Sequence, residues 1–155
     1  MKVPMQINTS PSMRLHLWLE NDQGALIGLG RAMLLVRIRE CGSLRQAAEN
    51  LGISYRAAWG KIRQAQEYLG EDLVRKEGKG YVLTDFGEHL ADGFLKWHDA
   101  VEGRALALAQ EHFPWPVLPY RSSPGSLKPP ASGSSTSCAP GSVSTTRDSA
   151  DKEHS

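Results

Sequence analysis

The sequence predicts a mainly α-helical domain with a small β wing, because three kinds of pattern follow one another along the chain. Two neighbouring segments carry helix start and stop signals, a glycine-rich link joins two short strand-like runs, and a long amphipathic segment follows. These patterns fall within residues 13–113, which we expect to form one domain after a flexible N-terminus at 1–12.

The segment at 114–155 is rich in Ser, Pro and Gly and has few bulky apolar side chains. Such a composition cannot bury enough apolar surface to offset the entropy lost on folding. We therefore expect a disordered tail, with binding of a protein partner through this tail as the alternative.

Three local patterns predict a strand, a first helix and the start of a second helix. Residues 14–20 place leucine at every second position, which predicts a strand that ends in the turn-forming residues 21–24. Residues 31–41 predict a first helix, which Gly42 ends as a C-cap. Ser43 then begins the second helix as its N-cap, and Gln46 completes the pattern of a capping box.

A third helix is predicted to begin after Ser54 and to run to about Leu69, behind a tight turn at Gly52. Its apolar residues recur at spacings of three and four, so they form one core stripe opposite a polar face. Two helices joined by such a short turn predict a helix-turn-helix. The core stripe consists of Tyr55, Ala58, Ile62, Ala65 and Leu69.

The helix-turn-helix is followed by a predicted wing. Residues 73–76 and 81–83 are two short strand-like runs, and residues 77–80 join them with glycines where a positive φ is needed. The order of elements is therefore that of a winged helix-turn-helix, in which the second helix of the helix-turn-helix pair enters the major groove of DNA.

Basic residues are concentrated in this middle part of the chain. Residues 31–79 contain ten basic against six acidic side chains, whereas residues 84–113 contain two against six. Basic side chains on the third helix and the wing would neutralise adjacent phosphates of double-stranded DNA. The expected DNA-binding residues are Ser54, Tyr55, Arg56, Lys61, Arg63, Arg75, Lys76 and Lys79.

A long helix is predicted from Thr84, with one apolar stripe along it. Because a three-helix core leaves little to cover this stripe, we expect it to be a dimerisation helix that forms a homodimer. The alternative is that the stripe folds back onto the strand at 15–19 of the same chain. The stripe consists of Phe86, Leu90, Phe94, Trp97 and Val101.

Other classes of function find no support in the sequence. The histidines do not cluster with cysteines or carboxylates at metal-ligand spacing, and no catalytic constellation is recognisable, so we expect no enzyme, no cofactor and no metal. No stretch approaches the roughly 20 apolar residues that span a bilayer, and the N-terminus lacks the apolar core of a signal peptide. We expect a cytoplasmic protein without a membrane partner.

Three segments together resemble the N-terminal domain of the molybdate-responsive repressor family (ModE type): LHLWLE, LGRAMLLVRIRECGSLRQAAENLGISYRAAWGKI and LVRKEGKGYVLTDFGEHL. The LysR-type regulators share part of this pattern. The residues that match the family signature are Gly42-Ser43 with Ala47-Ala48, Ser54-Tyr55 with Ala58-Trp59, and Leu83-Thr84 with Gly87.

The resemblance implies a homodimeric DNA-binding transcription regulator that recognises a palindromic operator. Full-length members of that family continue into oxyanion-binding domains that sense molybdate, whereas a Ser/Pro/Gly tail follows here. We therefore expect a regulator without its own effector domain. The alternative is a protein-interaction module built on a winged helix that no longer reads DNA.

Overall fold

The computed structural model describes residues 10–120, in which four helices are combined with three two-stranded sheets. The elements are β1 Ser12–Met13, β2 Trp18–Asn21, β3 Gly24–Gly28, α1 Leu29–Cys41, α2 Leu44–Asn50, α3 Tyr55–Leu69, β4 Val74–Glu77, β5 Gly80–Leu83, α4 Asp85–His112 and β6 Leu118–Pro119. This order confirms the predicted winged helix-turn-helix with a long final helix.

The predicted helix caps are confirmed. Gly42 has φ 62°, and its N–H donates to the carbonyl of Ile38 at 2.8 Å, so the left-handed residue ends α1. The hydroxyl of Ser43 accepts from the backbone N–H of Gln46 at 3.3 Å. The first helix begins at Leu29, two residues before the predicted start.

Helix α1 lies at the centre of the domain and is buried on almost every side. Met33, Leu34, Leu35 and Ile38 are each at most 1% exposed. Helices α2, α3 and α4 and strands β3 and β5 all pack against it. A helix with so much buried apolar surface is stable in a water-soluble domain when other elements enclose it, as they do here.

The N-terminal strand differs from its prediction. The strand β2 begins at Trp18 rather than at residue 14, and it pairs with β3, a strand that was not predicted. Asn21 closes the hairpin because its side-chain oxygen accepts from the N–H groups of Gln23 and Gly24 at 3.0 and 3.2 Å. The hairpin places Ile27 in the core, where it is 1% exposed.

Two arginines of α1 fasten the other elements to it. Arg31 donates to the carbonyls of Ala25 and Leu26 and to the side chain of Gln64, and burial lowers the pKa of its guanidinium. Arg39 donates to Glu88 at 2.7 Å and to Asp92 at 2.9 Å, so it ties α1 to α4. These contacts fix the hairpin, α3 and α4 relative to one central helix.

Helix α4 starts against the wing at a site of close backbone contact. The hydroxyl of Thr84 accepts from the N–H of Gly87 at 3.0 Å and donates to the carbonyl of Asp72 at 2.6 Å. A Cβ at Gly87 would lie 2.2 Å from the carbonyl oxygen of Leu73. The Leu-Thr-x-x-Gly pattern therefore caps α4 and lets its backbone pack directly on the chain that enters the wing.

The stripe predicted for dimerisation is divided between two environments. Phe94 is 4% exposed and packs with Ile27 and Ala32 of the same chain, because β3 and the start of α1 fold against α4. Its assignment to a dimer interface is therefore corrected to the domain core. Phe86 and Trp97 are each 39% exposed, whereas Leu90 and Val101 are half-buried.

The described chain continues past the predicted domain boundary at 113. Leu118 donates its backbone N–H to the carbonyl of Pro11 at 2.9 Å, and β6 pairs in parallel with β1. Val117 is 9% exposed. The predicted flexibility of 1–9 and disorder of 121–155 lie outside the described residues, and the domain limits stay a prediction.

Within residues 10–120, none of the helices combines the length and apolar character needed to cross a membrane.

Replacing Gly87 with Ala should lower the free energy of unfolding by about 1 to 3 kcal/mol, because the new methyl group meets the Leu73 carbonyl. Gly103→Ala on the same helix is the matched control, since a Cβ there meets nothing within 4 Å. That variant should gain up to about 1 kcal/mol from helix propensity. Urea unfolding measures both, and equal stability of the two variants would contradict the close contact.

Candidate nucleic-acid interface

The turn between α2 and α3 is held by small residues and one glycine. Ala47, Ala48 and Ala58 are each at most 1% exposed, which allows the two helices to approach closely. Gly52 has φ 66°, and the N–H of Ile53 donates to the carbonyl of Ala48 at 3.0 Å. These residues confirm the predicted helix-turn-helix and set the direction of α3.

Helix α3 presents one apolar and one polar face. Ala58, Ile62 and Ala65 are at most 1% exposed on the core side. Arg56 and Gly60 lie on the opposite side and are exposed. The hydroxyl of Ser54 accepts from the N–H of Ala57 at 3.1 Å and so caps the helix as predicted, while Lys61 and Arg63 are also exposed along it.

The assignment of Tyr55 to the core stripe is wrong. Its side chain is 44% exposed, and the buried residues of α3 begin only at Ala58. The guanidinium of Arg45 on α2 lies 5.8 Å from the centre of the Tyr55 ring, within range of a cation–π contact. Arg45 is not among the residues expected to bind DNA, although a basic residue on the helix before the turn is a usable signal in the sequence.

The wing is a tight antiparallel hairpin. Its strands pair from Val74 with Leu83 to Glu77 with Gly80, so the predicted four-residue link is in fact the two-residue turn Gly78-Lys79. Gly78 has φ 57°, which this turn requires. The predicted basic residues of the wing, Arg75, Lys76 and Lys79, are exposed, and Arg75 pairs with Glu77 at 3.3 Å.

Specific contacts hold the wing against α3. The side-chain oxygen of Gln66 on α3 accepts from the backbone N–H groups of Leu73 and Val74 at 3.1 and 3.3 Å. The rings of Trp59 and Tyr81 lie 5.6 Å apart, and Trp59 packs against the core cluster, so it braces α3 against the wing. Gln66 carries no pattern in the sequence that would have revealed its role.

The wing also approaches the end of α1. The N–H of Tyr81 donates to the carbonyl of Gly42 at 3.1 Å, and a Cβ at Gly80 would lie 2.0 Å from that same oxygen. Glycine at position 80 therefore allows β5 to lie on the α1 C-cap. As a result, α3 and the wing project basic side chains from one framework.

Gly60 differs from these glycines because a Cβ there would meet nothing within 4 Å. Its φ is not positive either, since the positive values among the described glycines fall elsewhere. Neither packing nor backbone conformation within the chain explains a glycine in the middle of α3.

Arg63 has a different setting from Arg56. It lines a polar depression at the end of α3 together with three acidic residues, Glu67, Glu71 and Asp72. Nearby carboxylates offset the attraction of a cation for phosphate. Arg63 is therefore less suited to contact DNA than the residues at the start of the helix.

The fold and the exposed face together define a winged helix-turn-helix domain. Residues 29–88 match the family model described as "Bacterial regulatory helix-turn-helix protein, lysR family". This part of the chain is therefore similar to the helix-turn-helix domain of that family.

Curated relatives of the ModE kind match the same region, which confirms the resemblance drawn from the sequence. "Transcriptional regulator ModE" of Haemophilus influenzae is 32% identical over 91 residues, covering 56% of this chain and 34% of the relative. "Molybdenum-pterin-binding protein MopB" of Rhodobacter capsulatus is 39% identical over 72 residues, covering 43% and 27%. The Escherichia coli K12 protein "DNA-binding transcriptional dual regulator ModE" is 38% identical over 65 residues, covering 39% and 25%. The matched region thus spans between a quarter and about a third of the length of these relatives.

Solved structures with a related arrangement include "Crystal Structure of BenM_DBD/benA site 1 DNA Complex", with a TM-score of 0.47 and 20% identity over 56% of this chain and 100% of that chain. Another is "Corynebacterium glutamicum OxyR, oxidized form", with a TM-score of 0.47 and 22% identity over 61% of this chain and 28% of that chain.

Proposed function

We propose that this protein is a DNA-binding transcription regulator that acts as a homodimer. The observation that supports it most is the exposed polar face of α3, with basic side chains beside a wing that is itself basic. In a winged helix-turn-helix, this face enters the major groove and the wing follows the adjacent backbone. The matches to lysR-type and ModE proteins support the same function.

The N-terminal turns of α3 are the part that we assign to base recognition. Arg56 is exposed there, and arginine reads guanine through two parallel hydrogen bonds. Tyr55 and Arg45, which lie against each other at the start of the helix, are suited to the neighbouring phosphates.

The wing residues are assigned to phosphate contacts, which position the protein without reading sequence. Lys76 and Lys79 have no carboxylate within ion-pairing distance among the described residues, so their charges are available to the DNA backbone. Arg75 shares its charge with Glu77 and contributes less.

The homodimer rests on the exposed part of the α4 stripe. Phe86 and Trp97 remain 39% exposed after the domain core is closed, and large apolar side chains at this spacing favour burial against another surface. Gly93 lies between them on the helix, and a Cβ there would meet nothing within 4 Å of the chain. A second copy of α4 can approach closely at such a position, and a twofold dimer would place two α3 helices about one turn of DNA apart.

We assign no catalytic step and no cofactor to the protein. We place the protein in the cytoplasm, because regulators of the bacterial family that residues 29–88 match act where the DNA is. Control by a protein partner through the tail remains part of the proposal.

We expect labelled duplex DNA to bind the full chain in fluorescence anisotropy. Affinity should fall at least about 1,000-fold between about 50 and about 200 mM salt, because each phosphate contact releases counterions. Lys76→Gln and Lys79→Gln should weaken binding to all sequences alike and reduce the salt slope by about 1 each. Lys96→Gln, an exposed change on α4, is the control and should bind normally. Absence of duplex binding at low salt would instead favour the protein-interaction module.

The Gly60→Ala variant tests whether the backbone of α3 at Gly60 lies against DNA. Alanine should raise the free energy of unfolding by up to about 1 kcal/mol, since no atom of the chain opposes the methyl group. The same methyl group should weaken duplex binding about tenfold or more if the helix backbone lies close to DNA. Gly103→Ala is the control, with a similar gain in stability and unchanged affinity. Full affinity in Gly60→Ala would show that the glycine is an ordinary surface residue.

Replacing Phe86 and Trp97 together with Glu should yield a folded monomer, because both side chains are exposed in the single chain. Sedimentation should show the unmodified protein as a dimer, and binding to a palindromic duplex should weaken at least about tenfold in the variant. Lys96→Glu, which adds negative charge outside the stripe, should remain dimeric. A monomeric unmodified protein at about 50 μM would overturn the assembly.

A further inference from the structure

One buried side chain lacks the partner that its chemistry requires. His98 of α4 is 5% exposed, and neither Nδ1 nor Nε2 forms a hydrogen bond within residues 10–120. The contact described for its ring is the one with Phe94, whose ring centre lies 6.3 Å away. Because buried polar groups are nearly always paired, an unpaired imidazole needs an explanation.

Two carboxylates lie beside this histidine. The ligand atoms of His98, Asp99 and Glu102 all fall within 4.8 Å of one another, and Nδ1 of His98 is 3.8 Å from Oδ1 of Asp99. Glu102 follows the other two at spacings of four and three, so helical geometry places it next to both. The expectation that no histidine clusters with carboxylates is therefore wrong at His98.

We propose that these three side chains form a binding site for a divalent transition-metal ion of the zinc type. One imidazole nitrogen and two carboxylate oxygens suit zinc, and imidazole favours such an ion over magnesium or calcium. Ligand atoms around tetrahedral zinc lie about 3.4 Å apart, as follows from bonds of about 2.1 Å. The Asp99 side chain is 65% exposed, so its carboxylate can rotate to shorten the 3.8 Å distance to Nδ1 of His98. Water would complete the coordination of the ion.

The site is distinct from the surfaces assigned to DNA. It lies on α4, whereas the basic residues lie on α2, α3 and the wing. His98 follows Trp97 directly, so a bound ion would sit beside the exposed stripe of α4 and would bridge one turn of that helix.

Calorimetric titration of zinc chloride into the full chain, stripped of metal with a chelator, tests the site. We expect one saturable ion per chain and a higher melting temperature with zinc. Glu102→Gln and Asp99→Asn should each weaken zinc affinity at least about tenfold, because each removes a charged ligand. Both residues retain solvent contact, so these variants keep the fold where a change at His98 itself would disturb the core.

Glu111→Gln, an exposed change on the same helix, is the matched control and should bind zinc normally. His112→Gln should also leave affinity unchanged, which excludes a site at the end of α4. Magnesium chloride at the same concentration should produce no saturable heat. Unchanged zinc affinity in both Glu102→Gln and Asp99→Asn, or no saturable binding up to about 1 mM zinc, would overturn the site. Because the readout is zinc binding, its failure leaves the proposed DNA binding untouched.

Discussion

The enclosure of α1 is the constraint on which the remaining structure depends. Its large apolar side chains, among them Leu34, Leu35 and Ile38, are fully buried, and burying each contributes about 2 kcal/mol. No single element can cover a helix on all sides, so α2, α3, α4 and the wing must meet around it. The position of the recognition helix is thus a consequence of how the core is closed.

The same arrangement separates two surfaces of different character. The face of α3 opposite Ala58, Ile62 and Ala65 and the edge of the wing share the basic side chains. Helix α4 instead carries acidic residues and two exposed aromatic side chains, Phe86 and Trp97. A negatively charged helix is suited to lie away from phosphate. Charge and apolar exposure therefore divide the proposed DNA contact from the proposed contact between copies.

Much of the fold could be predicted because its signals are local. Caps at Gly42, Ser43 and Ser54 depend on residues within four positions, and helical periodicity located the buried face of α3. Periodicity identified the wrong environment for Tyr55 and Phe94, since it shows that a stripe exists without showing what covers it. The exposed basic residues were predictable by type, whereas the carboxylates beside Arg63 were not recognised.

The sequence by itself determined the order of the helices, their caps, the glycine turn of the wing and the basic middle of the chain, because each follows from neighbouring residues. The tertiary structure alone decided which side of α4 is covered and why Gly80 and Gly87 admit no side chain. It also decided that Gln66 holds the wing and that His98 is buried beside two carboxylates. These features depend on atoms that folding brings together, such as the Leu73 carbonyl against α4, and no local pattern encodes such distances.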